Sequence, residues 1–351
     1  MAMMPPEPRG QQSGHQNATA PIMGETGGLL AETDATTTPL ARRRVGRVKI
    51  FAGRYARNTS AVVGLAMFVL LVLFALCGGL FTSYSYTDTD FLAIGFPPSV
   101  QGSAGAQGSA GAHWFGTNDA GNDLYAQVVH GLQRSLTIAL TVSVGTTAIA
   151  ALLGGLAAYF GGWVQRIVLG TVYLLLVVPT FLILALVSNS TGGDWRWLIV
   201  VLTVFGWMML ARVIHSLALT VRERDYVTAA RYLGVSPLRI IQRHILPNIA
   251  SLLVINFALG VVATVLAETG LSFLGFGVKI PDVTLGSLLQ AGAGTLAASP
   301  WLFWFPAAVL SLLTISMALI SDGLRDAFDP TSRASRRKAN ARNSSRRGAS
   351  R

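Results

Sequence analysis

Residues 222–248 read Arg-Glu-Arg-Asp-Tyr-Val-Thr-Ala-Ala-Arg-Tyr-Leu-Gly-Val-Ser-Pro-Leu-Arg-Ile-Ile-Gln-Arg-His-Ile-Leu-Pro-Asn, a charged, amphipathic insert between two long apolar segments. The pattern predicts a short helix over Arg224–Leu233, with Tyr226, Ala229, Ala230 and Leu233 near one face. Gly234 supplies a left-handed stop. Ser236 and Pro237 open a second helix as cap and first helical residue. Leu238, Ile241 and Ile245 give that helix an apolar stripe, and Pro247 leads into the next apolar run. On these features alone the insert fits either a loop lying on lipid or a handle for another protein.

Outward from the insert the chain is unusually apolar: of its 351 residues 52 % are hydrophobic and 12 % charged. Soluble domains carry about 25 % charge. Runs 58–87, 135–165, 167–193, 197–211, 244–267 and 283–321 hold no Asp, Glu, Lys or Arg. Crossing a hydrocarbon core of ~30 Å takes about 20 helical residues, and nearly every run is that long. The shorter one reaches it by including Trp195 and Trp197 at one interface and letting Arg212 snorkel at the other. Six spans follow, at about 61–81, 133–160, 166–188, 196–217, 248–270 and 300–321. Gly154, Gly155, Pro179, Gly206, Gly260 and Pro306 within them do not argue against helices, which tolerate both residue types in membranes. Alternating ten-residue barrel segments are missing, so the expected fold is an all-α membrane protein.

Orientation comes from the basic residues. Eight of the 27 Lys and Arg lie in 1–60, five in 218–247 and nine in 322–351, against none in 82–130 and only Lys279 in 271–299. The positive-inside rule then places both termini and the insert in the cytoplasm. The net charge of +11 therefore sits in tails and one loop. It meets anionic lipid there, and no nucleic acid is expected. The organisation reads as a largely disordered tail over 1–57 and a first span with its external loop over 58–131. A core of five spans over 132–330 follows, with the loop 218–247, and a basic tail over 331–351 closes the chain. The first apolar run begins too late for a secretory signal, and Gln101–Ala112 reads as a flexible linker. Cys77 has no intrachain partner to form a disulfide.

Enzyme chemistry is not visible. None of Lys49, Lys279 and Lys338 precedes a Ser or Thr, so no Gly-x-x-x-x-Gly-Lys-Ser/Thr phosphate loop exists. No cofactor, catalytic or metal residue is expected, since the five histidines lie scattered and form no His-Glu-x-x-His motif. Intramembrane charges mark coupled-ion pathways, and here only Glu268 and Asp322, both near span ends, break the apolar runs. That argues against a stand-alone secondary transporter, and a simple membrane scaffold would have no use for the insert.

Thr228-Ala229-Ala230, Gly234 and Leu246-Pro247 resemble the coupling-loop signature of bacterial ABC importer permeases, Glu-Ala-Ala, Gly and Leu-Pro, with Thr228 standing where Glu is usual. Three further segments resemble the peptide/nickel branch, in its subunit related to the C component of dipeptide and oligopeptide importers. They are His113–Asp123, with Trp114, Asn118 and Asn122 as departures, then Glu268–Gly277, and Asp322–Pro330. The resemblance covers about 60–330 and implies a type I importer permease fold, six transmembrane helices with a cytoplasmic coupling helix. It implies a bacterial cytoplasmic-membrane permease for di- or oligopeptides, with nickel, haem or glutathione as alternative cargoes. It further implies a homologous permease subunit, ATPase subunits carrying ATP and Mg, and an extracytoplasmic substrate-binding protein. Arg224, Asp225, Tyr226, Thr228, Ala229, Ala230, Gly234, Pro237 and Arg239 would meet the ATPase. His113, Gly116, Thr117, Asp119, Gly121, Asp123 and Lys279 would face the binding protein. Glu268, Gly275, Gly277, Asp322, Arg325 and Asp326 would be structural. Asn118–Asp123 reads either as a calcium loop or, better by its spacing, as a capped turn. Tyr173 stands near a position where the family often has Asp.

Overall fold

The computed structural model describes residues 52–99 and 112–328. The tail up to 51, most of the linker at 101–112, Asp329, Pro330 and the basic tail lie outside them. Among the described residues the fold is helical, with only two isolated bridges, Thr89 to Asn122 and Thr117 to Asp123. The helices are α1 (Thr59–Cys77), α2 (Leu124–Phe160), α3 (Gly162–Val177), α4 (Thr180–Ser190), α5 (Trp195–Gly206) and α6 (Met208–Arg222). After them come α7 (Asp225–Tyr232), α8 (Pro237–Ile240), α9 (Ala250–Phe273), α10 (Leu285–Gly294) and α11 (Trp301–Phe328). Five stretches are long and apolar enough to cross a membrane, α5 and α6 counting as one, and α3 with α4 makes a sixth if that bent pair is one span.

The bent pair departs from the straight span expected over 166–188. α3 and α4 meet at 73° across Val178 and Pro179. Proline has no N–H and crowds the residue before it out of the helical region, and Val178 is extended at φ −73°, ψ 122°. Pro306 has no such effect inside α11. Membrane helices tolerate proline, and α11 runs on unbroken through it.

α2 also differs from expectation. It begins at Leu124, ahead of both the expected span and the boundary drawn at 131/132, because the Asp123 side chain caps it by accepting from the Ala126 amide. Its 37 residues extend ~55 Å at ~1.5 Å per residue, well beyond a ~30 Å core. α2 contributes to every apolar cluster. Leu124, Val128, Leu132 and Leu136 pack with α1, α9, α10 and α11. Ala150 and Ala151 pack with α3 and α6, Ile138 and Val142 with α4 and α5, and Ala158 with the insert.

Small residues set the closest approaches, as in other membrane bundles. A Cβ on Gly154 would lie 2.7 Å from the Ala211 carbonyl oxygen of α6, and one on Gly64 of α1 2.5 Å from Leu319 Cβ of α11. At the same end Asn58 caps α1, and its Nδ2 donates to Asp326 Oδ2 at 2.8 Å, tying the first span to the last. Asp322 and Arg325 are exposed beside it.

Candidate functional site

Two clusters carry the motif residues, one at the end of the bundle that bears the insert and one at the opposite end. At the insert end α7 stops in a Schellman turn. Gly234 takes φ +74°, its N–H donates to the Arg231 carbonyl at 3.1 Å, and the Val235 N–H donates to the Ala230 carbonyl at 3.2 Å. Pro237 opens α8 at its first position, whereas the Ser236 side chain makes no capping bond. The helix then loosens into a π turn over Ile241–Ile245 and a 3-10 turn over Leu246–Asn248. Pro247, which has no N–H to give, accounts for that loss of α-helical pairing.

Ala230, Val227, Ile240, Ile241 and Ile245 seat the insert on Ala158 of α2 and Ala218 of α6. A fully buried Ile contributes about 1.5–3 kcal/mol, so the three isoleucines dominate this seat. The sequence pattern placed Leu238 in this stripe and gave Ala229 and Ala230 one face. In the structure Ile240 takes the buried place, Leu238 is exposed, and Ala229 points away from the seat. Ile241 and Ile245 are buried as the pattern required, so the stripe keeps its face and Ile240 joins it in place of Leu238.

The outer surface of the insert is formed by Arg224, Asp225, Tyr226, Thr228, Ala229, Arg231, Gly234 and Arg239, with Tyr232 and Leu233 87 % and 83 % exposed. Pro237 is half-buried at its edge. No ion pair neutralises these arginines among the described residues. Asn248 donates to the Tyr226 hydroxyl and so fastens α7 to the chain entering α9. The Arg222 Nη1 donates to the Ala158 carbonyl at 2.9 Å, placing a cation on one of the unpaired carbonyls that close α2.

The opposite end is built the other way round. His113 is buried between two carboxylates, Nδ1 at 2.9 Å from Asp123 Oδ1 and Nε2 at 3.5 Å from Asp90 Oδ2, with the Tyr84 ring stacked on it. Thr117 is buried, donating to the Ala93 carbonyl and accepting from the Phe96 amide at 2.8 Å. Gly116 sits at φ +82°, where a Cβ would come within 2.6 Å of the Phe96 carbonyl oxygen, and Gly121 at φ +80° lies as tightly against the Asp90 backbone. The Asn118 side chain accepts from the amides of Ala120 and Asn122, closing a capped turn. Among the described residues no group of three His, Cys, Asp or Glu gathers to hold a metal ion.

Of the residues expected to face a binding protein, then, five are buried inside the loop: His113, Gly116, Thr117, Gly121 and Asp123. Asp119 and Lys279 are exposed and share the wall of an open cavity of about 860 Å³ with Asp282 and Gln290. Sequence reading missed the network beside it. Arg134 Nε donates to Asp282 Oδ1 at 3.0 Å, His130 Nε2 lies 3.2 Å from the same oxygen, and Tyr86 stacks on His130 at 3.6 Å. These partners stand far apart in sequence, so no local pattern announces them.

Glu268 is 1 % exposed, and its Oε1 accepts from Ser272 Oγ at 2.8 Å and Thr284 Oγ1 at 2.5 Å. Its Oε2 rests against the Gly286 backbone, where a Cβ would lie 2.7 Å away. Thr284 caps α10 in a capping box with Ser287. The carboxyl thus joins α9 to α10. Gly277 packs directly on Ser272, and Gly275 makes the exposed left-handed turn between them.

Residues 149–334 match the family described as the binding-protein-dependent transport system inner membrane component. Residues 48–98 match the N-terminal TM domain of oligopeptide transport permease C. The chain is 44 % identical over 302 residues to the oligopeptide transport system permease protein OppC of Mycobacterium tuberculosis, covering 86 % of this chain and 99 % of that one. It is 30 % identical over 277 residues to OppC of Bacillus subtilis, covering 79 % and 87 %.

Proposed function

The chain belongs to the family of binding-protein-dependent transport system inner membrane components, and from that premise we propose that it is the transmembrane permease subunit of an ATP-driven oligopeptide importer. The observation that carries the reading is the insert itself, a cation-rimmed surface around Tyr226, Tyr232 and Leu233, seated on the ends of two membrane helices. An uncovered apolar patch with a charged rim marks a protein-contact site. We assign it to an ATPase subunit, whose closure on ATP presses on α7. Through Val227, Ala230 and the three isoleucines the push reaches α2 and α6, and through Tyr226 and Asn248 it reaches α9.

On this reading the insert end lies in the cytoplasm of a bacterium, following the basic residues, and a second permease subunit covers exposed membrane helices. The binding protein delivers peptide at the opposite end, where Asp119 and Lys279 are free to meet it. The permease supplies contacts and a path and makes no covalent change in the substrate. Purification of tagged chain from its native membrane should bring down an ATPase subunit and a second permease. Recovery of the chain with no ATPase would sink the reading.

A further inference from the structure

Arg212 is an exposed cation on α6 that the seating of the insert does not use. About 15 Å of helix axis separates it from Arg222 at the insert end, at ~1.5 Å per residue. Tyr173 of α3 stands at a similar depth, about 17 Å along its helix from Gly162. The Arg212 guanidinium lies 5.4 Å from the centroid of the Tyr173 ring. Arg166, near the start of α3, lies instead 5.4 Å from Trp163, an aromatic and cationic pair of the sort found at a membrane interface. The span runs on through α6 to Arg222, so Arg212 lies inside the apolar stretch and not at the interface expected from the charge-free run 197–211.

Snorkelling does not account for it. Helical side chains lean toward the helix N-terminus, which in α6 points away from the insert end. Reaching back to that end would run against the lean. Among the described residues no carboxylate pairs with Arg212. A charge at this depth faces a bundle interior or a watery cavity.

The broken span gives an independent reason to place water or protein here. Beside Tyr173, α3 ends at Val177, and the exposed Leu176 and Val177 precede Pro179, which has no N–H. Irregular backbone at membrane depth is tolerated only where it is covered by protein or lines a water-filled cavity.

We propose that Arg212, held against the Tyr173 ring, is the point on the translocation path that binds the carboxylate of the passing substrate. A guanidinium takes a carboxylate in a forked pair of hydrogen bonds, while the ring keeps the cation in place between cargoes. The inference rests on the peptide-import reading, and a C-terminal carboxylate is the group such a cargo always presents.

The test is uptake by the complete transporter in proteoliposomes, comparing one peptide as its free acid and as its C-terminal amide. The quantity read is the acid-to-amide ratio relative to wild type, which cancels any preference of the binding protein. Arg212→Gln should lower that ratio roughly tenfold, and Arg212→Lys should keep most of it. Tyr173→Leu, which leaves the charge of the spans unchanged, should lower it about two- to fivefold. An unchanged ratio in Arg212→Gln overturns the proposal. Loss of the second permease from purified Arg212→Gln complex also overturns it, making Arg212 an assembly contact. If wild type imports neither peptide, the peptide reading itself fails, a result distinct from both.

Discussion

The two ends of the bundle treat their motif residues in opposite ways. At the insert end the structural work falls to a few apolar side chains, Val227, Ala230, Ile240, Ile241 and Ile245, and the charged residues stay uncovered. At the other end His113, Thr117 and Asp123 are buried and bonded to one another or to backbone, and of the residues expected to meet a binding protein only Asp119 and Lys279 are exposed. Two equally distinctive stretches of sequence thus serve different purposes. One offers a surface to something else, and the other holds the start of α2 in place.

Substitutions can sharpen or break that contrast. Asp123→Ala should have the largest effect on stability, about 3 kcal/mol. It removes the α2 cap, worth ~1 kcal/mol, and leaves buried His113 without its nearer carboxylate, at ~1–3 kcal/mol. Thermal unfolding of the purified complex in detergent would register the loss. Gly116→Ala should cost about 2 kcal/mol in the same assay, since it adds a left-handed penalty of ~1–2 kcal/mol to a steric clash with Phe96.

At the insert end, Gly234→Ala should cost only about 1 kcal/mol, for conformation alone, because a Cβ there meets nothing within 4 Å. Limited proteolysis after Arg231 would report the looser turn. The smallest effect on stability, within about 0.5 kcal/mol, is expected for Leu233→Ala combined with Arg224→Ala, both exposed. Yet this pair should cut peptide uptake roughly tenfold or more. If its melting temperature falls as far as that of Asp123→Ala, the two ends do not differ in the way described.

Much of this was legible in the sequence wherever the signal is local. Charge-free runs marked the spans, and Gly234 and Pro237 punctuated the insert as expected. The break in the third span was not foreseen, because Pro179 and Pro306 look alike in an apolar run, yet only the first interrupts its span. Nor was the early start of α2, since Asp123 was read as part of a loop motif and not as a cap. The residues around Glu268 were recognised as a motif, but their partners Thr284 and Gly286 come from the next helix. Arg134 with Asp282, and Arg222 with Ala158, depend on chain crossings that periodicity does not encode.

α2 begins in the clasp around His113 and ends under the insert, without a proline along its ~55 Å. It therefore behaves as a lever. A tilt of about ten degrees about one end would carry the other through ~10 Å at that length. On the proposed function, a push at the insert would need no relay of switching side chains to reach the far loops. It would arrive as displacement, at the speed at which one stiff rod can turn.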